Sequence, residues 1–218
     1  MEFFRDRLIV PVTMNACRAF ALGVVGLLLT GGCFNWQHNV TLKGVAFEKA
    51  RTEPDGLIIG WIKTDTQVGG RWCKQGWVHL HANGVAAAFT AAREIALPRF
   101  TIPVNTWVFQ GPDGVIKVCA LPRDTVVQGQ LCRGSGGPSG VQTALYPDGA
   151  LKQFFPRGAV RLDGVPCRAS LFEPGIELHP NGRLKSATLA EDFVRDGRTF
   201  RRGTRLHLDS TGRIAASN

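Results

Sequence analysis

From about residue 44 onward, apolar and polar residues alternate in short runs that end at a glycine. Val78 and Leu80, Ile176 and Leu178, and Leu206 and Leu208 would each share one face of a strand. His79 and His81, Glu177 and His179, and His207 and Asp209 would share the other. A period of two with a polar outer row predicts strands buried on one side.

The closing turns form a repeat. They read EPDGL, HANGV, GPDGV, YPDGA, HPNGR and DSTGR, with glycines at 56, 84, 114, 149, 182 and 212. The intervals are 28, 30, 35, 33 and 30 residues. Asn-Gly and Asp-Gly accept the positive φ angles of a tight two-residue hairpin turn, which is the geometry expected here. A second element follows each turn, as in LPRDTVVQGQLCRG, FPRGAVRLDGVPCRA, LAEDFVRDGRTFRRG and KTDTQVGGRWCKQG. Its frame is a polar corner, a short apolar run, glycine, then cysteine or phenylalanine followed by a basic residue. REIALPRFTIPVNT fills the same slot without the glycine and the base, placing Phe100 where the others carry cysteine or Phe200. Two or three short strands per repeat are expected, each repeat burying what its neighbour cannot bury alone.

The fold class is therefore all-β: an antiparallel hairpin repeat protein of about five repeats, built as an elongated meander sheet or as a β-solenoid. The turn motifs YPDGAL and HPNGRL resemble the MORN and MORN-variant hairpin repeats of bacterial proteins. That resemblance covers the chain from about Val45 and implies a hairpin architecture without implying a function.

The N-terminus changes the picture. From Met14 the chain carries one positive charge, Arg18, then an apolar run from Ala19 to Leu29, then Leu29-Thr30-Gly31-Gly32-Cys33. The run is about half the ~20 residues that span a bilayer, so it has the length of a secretion-signal core. Its ending resembles the lipobox of bacterial lipoproteins, which implies cleavage before Cys33 and a diacylglycerol on its thiol. A plain signal peptide or a signal anchor is the alternative. Translation is expected to start at Met14, because Glu2 and Asp6 are foreign to a signal's basic start. The organisation expected is a signal over residues 1–32, lipidated Cys33 and a tether over 33–43, and the β-repeat domain over 44–218. Phe34 after the cysteine, in place of aspartate, points to the outer membrane, facing the periplasm or the cell surface.

Charge then narrows the partners. With 26 basic and 17 acidic residues the formal net charge is +9, which favours anionic partners. The export signal argues against nucleic acid. The base after the slot recurs as Lys74, Arg133, Arg168 and Arg201, opposite in alternation to the cysteine. These four would form an outward stripe able to bind a phosphorylated lipid, an acidic polymer or a protein partner.

The body's cysteines are Cys73, Cys119, Cys132 and Cys167. Three share a slot with phenylalanine, which makes it an inward apolar position, with disulfides as the alternative. Cys132 and Cys167 would lie about 4.8 Å apart on solenoid rungs and about 10 Å apart in a flat meander. One metal set is conceivable: Glu177, His179, His207 and Asp209 would converge on zinc if their two strands were neighbours. No serine-hydrolase elbow, His-Glu-x-x-His or phosphate-binding loop is present. The expected function is a non-enzymatic envelope lipoprotein with no cofactor beyond its acyl chains. A metal-binding module or an unrecognised carbohydrate-active enzyme is the alternative, the latter because paired carboxylates need not be close in sequence.

Overall fold

The structure is a computed structural model describing residues 35–215. The signal-like segment, Met14 and Cys33 lie outside the described residues. The chain opens with β1 (Gln37–Leu42), β2 (Val45–Thr52) and β3 (Ile58–Ile62). A small hairpin, β4 (Thr66–Val68) with β5 (Arg71–Cys73), leads to β6 (Gly76–Leu80) and β7 (Ala86–Thr90). The plan then repeats. Hairpin β8 (Ile95–Ala96) and β9 (Thr101–Ile102) precedes β10 (Trp107–Gln110) and β11 (Ile116–Ala120). Hairpin β12 (Thr125–Val127) and β13 (Gln130–Cys132) precedes β14 (Gln142–Leu145) and β15 (Leu151–Phe154). Hairpin β16 (Val160–Leu162) and β17 (Val165–Cys167) precedes β18 (Ile176–Leu178) and β19 (Leu184–Thr188). Hairpin β20 (Phe193–Arg195) and β21 (Arg198–Phe200) precedes the last strand, β22 (Arg205–His207).

The longer strands form one twelve-stranded antiparallel meander, in the order β1-β2-β3-β6-β7-β10-β11-β14-β15-β18-β19-β22, open at both edges. The five small hairpins are separate two-stranded sheets. Each repeat thus has four strands, two long and two short, and the architecture is the meander rather than the solenoid.

Why the chain makes two layers follows from burial. Val78, Phe89, Val108, Cys119, Phe154 and Ala187 come from one face of the long sheet and are fully buried. The small hairpins contribute Val68, Cys73, Ile102, Val127, Cys132, Val165 and Cys167 to the same continuous core. Backbone bridges Cys73↔Ala91, Cys132↔Pro156 and Cys167↔Leu189 stitch the end of each small hairpin to the following repeat. One face of the meander is therefore covered, and the other is open.

Two turn types divide the work, and the division differs from the sequence expectation. At the six recurring tips the residue before the glycine, Asp or Asn in five and Thr211 in the last, keeps negative φ and only the glycine is left-handed, as at Gly149 (φ 81°) and Gly182 (φ 83°). The carboxylate or amide oxygen instead accepts the N–H two residues on: Ala150 N to Asp148 Oδ1 is 3.0 Å, and Arg183 N to Asn181 Oδ1 is 3.1 Å. The pairing register slips near four of these tips, as between Ala144 and Leu145 and between Glu177 and Leu178. The tips are three-residue loops with a glycine bulge, not two-residue turns. Two-residue turns with both φ angles positive close the small hairpins instead, at Gln128-Gly129, Asp163-Gly164 and Asp196-Gly197.

Two further differences concern boundaries. Gln37–Leu42, where a tether was expected, is the edge strand β1, paired with β2 in full register. In the second small hairpin the two turn residues are Pro98-Arg99, with no glycine, and Leu97 N is bonded to Phe100 O across them at 2.9 Å. Ile95 pairs Ile102 as Thr125 pairs Cys132, so the cysteine slot is taken by Ile102, not Phe100.

Candidate functional surfaces

Each small hairpin enters through a corner and leaves past the slot, and in three of the five a carboxylate locks the two ends together. Asp65 accepts Gln75 N at 2.8 Å, Asp124 accepts Gly134 N at 3.0 Å, and Asp192 accepts Arg202 N at 2.7 Å. The Arg202 amide, reinforced by Arg201, holds the Asp192 carboxyl below the ordinary carboxylate value despite its full exposure. Corner geometry explains these acidic residues without any chemistry.

The basic residues Lys74, Arg133, Arg168 and Arg201 all follow the slot. Each of the first three donates its own amide to the next repeat, to Thr90 O, Phe155 O and Thr188 O, at 2.8 Å in every case. They therefore stand at equivalent places, about 10 Å apart per repeat. The row is interrupted at the second repeat, where Pro103 follows Ile102. Three side chains are exposed and Arg133 is half-buried. Lys74 Nζ reaches a neutral acceptor, Asn105 Oδ1, at 2.6 Å. Arg133 meets only the Arg157 carbonyl, at 3.4 Å, and its Nε is buried without a partner. Arg168 and Arg201 pair with Glu173 (3.0 Å) and Asp192 (3.3 Å). Pairs this exposed hold weakly, so a polyanion can compete for both arginines. Arg205, a neighbour by sequence, belongs to the open sheet face, where it bonds Ser186 Oγ at 2.6 Å and Gly175 O at 3.0 Å.

The four prospective metal ligands do not converge. β19 lies between β18 and β22, so Glu177 and His207 align through Ser186, two strands apart at about 10 Å. Glu177 instead sits between Arg205 (3.4 Å) and Lys185 (3.5 Å). His179 Nε2 lies 2.9 Å from the Leu208 carbonyl, and a carbonyl can only accept, so this nitrogen carries the proton. Asp209 is consumed by its own turn, accepting from Thr211 and Arg213. Among the described residues, no group of three or more His, Cys, Asp or Glu is placed to hold a metal.

The His179 bond is one of a series. His81 Nε2 meets Gln110 O at 3.0 Å, and Tyr146 OH donates to Leu178 O at 2.9 Å. Asn83 and Asn181 donate to Pro112 O and Ser210 O, at 2.9 and 3.0 Å. The first position of the tip is a clamp onto the next tip.

Cys73, Cys119, Cys132 and Cys167 are buried and unpaired. Burial pushes the first three thiols up to about 12, and Cys167 up to about 11. The thiolate needed for oxidation or metal binding is suppressed.

A further surface escaped the sequence reading. On the open face, Lys49 stands opposite Trp61, and Trp61 opposite Trp77. The Trp61 and Trp77 rings meet edge to face at 5.4 Å, and Trp36 joins Trp77 at 5.7 Å. Lys49 Nζ lies 5.1 Å from the centre of the Trp77 ring, and Arg51 lies 5.0 Å from that of Trp36. Arg51 also pairs with Glu53 at 2.7 Å. Trp77 stays 44% exposed, an apolar ring turned to solvent on a face nothing covers. Beside this group, burial, and then the charge of Arg51, lower the His79 pKa, which keeps the ring neutral. The available signal was the tryptophan spacing, legible only once the strand register is known.

Comparison with known protein families, characterised proteins and solved structures found no match.

Proposed function

We propose that the protein is an exported, lipid-anchored scaffold of a bacterial envelope that presents cations at repeat spacing to an anionic partner. The lipobox-like Leu29-Thr30-Gly31-Gly32-Cys33 supports the anchor. The observation carrying the binding role is the equivalence of Lys74, Arg133, Arg168 and Arg201, each placed by the same exit from a small hairpin. A rigid row of charges, about 10 Å apart from Arg133 to Arg201 and about twice that between Lys74 and Arg133, suits a phosphorylated lipid or acidic polymer that can engage several at once. The forked donors of three arginines favour phosphate or carboxylate groups.

Polyphosphate is a suitable probe. The full protein is expected to bind it with an affinity that falls steeply with salt, and the fourfold alanine variant at positions 74, 133, 168 and 201 to bind at least about tenfold more weakly. Equal binding by the variant would remove the row from the function. The anchor is tested separately, by intact mass of the mature protein: a diacylated N-terminal Cys33 is expected, and an unmodified one refutes it.

A further inference from the structure

The open face of the meander is not uniform. In its N-terminal half, β3, β6 and β10 carry Ile59, Trp61, Trp77, Trp107 and Phe109, and Trp36, just before β1, packs on Trp77. Toward the other edge the same face carries Gln153, Glu177, Ser186, Arg205 and His207. Tryptophan beside lysine and arginine is the composition of a membrane–water interface, where the ring's apolar body and polar N–H are both satisfied and the cation meets lipid phosphate. The apolar rings lie at the end of the sheet nearest the N-terminus in sequence. Only Phe34 and Asn35 separate Cys33 from Trp36, at most about 10 Å of extended chain. If the apolar run is retained as an uncleaved anchor, Leu29 is only seven residues from Trp36.

We infer that the Trp36–Trp61–Trp77 cluster, with Lys49, rests in the headgroup region of the bilayer that holds the N-terminus, seating the sheet by its aromatic end on anionic lipid. This rests on the anchor reading. The acyl chains of the anchor hold the chain at the bilayer by one point only, and a second contact fixes how the sheet lies on it, which is the role the cluster supplies. The polar half of the open face and the cation row are then left for partners.

The test uses the full lipidated protein in vesicles of phosphatidylethanolamine and phosphatidylglycerol with brominated acyl chains, which quench tryptophan on contact. Trp72 lies on a small hairpin, stacked under Arg93 at 3.9 Å, and serves as the internal control. The Trp72→Phe variant, keeping the other four tryptophans, is expected to lose at least half its emission in brominated vesicles. The Trp36→Phe, Trp61→Phe, Trp77→Phe variant is expected to show less than a third of that quenching, with an unchanged circular dichroism spectrum. Lys49→Glu is expected to weaken the quenching in phosphatidylglycerol vesicles specifically. Absent quenching in Trp72→Phe overturns the inference, as does equal quenching in the triple variant. If instead a soluble glycan shifts the emission of Trp72→Phe while brominated lipid does not, the cluster is a sugar platform and the membrane assignment falls. Should mass analysis find Cys33 unmodified, the unlipidated protein added to the same vesicles reads the cluster alone. Quenching there sustains the surface while the anchor fails, and its absence ends both.

Discussion

Two neighbouring residues of β15, Gln153 and Phe154, point to opposite faces of the same sheet. Phe154 is fully buried under the small hairpins, in a row with Cys119, Ile176, Ala187 and Leu206. Gln153 lies on the open face, in a row that runs from Ile59 and His79 through Phe109 and Val118 to Glu177 and His207. The covered row hardly varies in character from end to end. The open row changes from aromatic and aliphatic to polar and charged. Packing constrains the first, because a core position tolerates little change in volume. The open face escapes that constraint, so its gradient is the better guide to what the molecule touches.

The contrast can be broken most sharply at those two residues. Phe154→Ala should lose about 3–5 kcal/mol of unfolding free energy, measured by urea denaturation, because it leaves a cavity between the layers. Gln153→Ala, one residue away, belongs at the other end of the scale, within about 0.5 kcal/mol. A similar loss at both positions would mean that the second face is covered too.

Between these extremes are the contacts that tie one repeat to the next. His179→Ala removes the bond to the Leu208 carbonyl and should cost about 1 kcal/mol, with amide exchange rising first around β22. A smaller effect belongs to the Asp192 corner. Its carboxyl titrates below the ordinary value in the folded chain, so the stability it adds is present above the unfolded pKa and lost as pH falls through the folded one. Asp192→Asn keeps an acceptor for the Arg202 amide but does not titrate. Its urea midpoint should therefore fall less than that of the parent between about pH 5 and 2.

Much of this plan can be read in the chain itself. The tip glycines mark every long hairpin, and the alternation of Ile176 and Leu178 against Glu177 is enough to assign faces. The slot and the base after it are equally legible, since cysteine and the following residue must point to opposite sides. What eludes local reading is tertiary. Nothing in TVVQGQLC says that this hairpin folds back over the sheet rather than extending it. Phe100 looked like a slot residue because this hairpin lacks the glycine that marks the turn in the others, and only the pairing of Ile95 with Ile102 fixes its register. Gln37–Leu42 lacks the apolar alternation of the inner strands because neither of its faces is buried. The carboxylates facing Arg168 and Arg201 arrive from a loop and a corner, beyond any pattern of the strands. The tryptophan cluster joins residues 36, 61 and 77, which sequence spacing alone does not connect.

The central claim is that the small hairpins seal one face of the meander, with Cys73, Cys119, Cys132 and Cys167 enclosed as free thiols. In a Cys17→Ser, Cys33→Ser variant, which leaves only these four cysteines, counting thiols that react with a chromogenic disulfide reagent at about pH 8, before and after unfolding in urea without reductant, tests it directly. The account predicts almost no reaction in the native protein and four thiols released together in a single unfolding transition. Rapid native labelling would show the layer to be open. Fewer than four thiols after unfolding would show that the cysteines are bonded to one another.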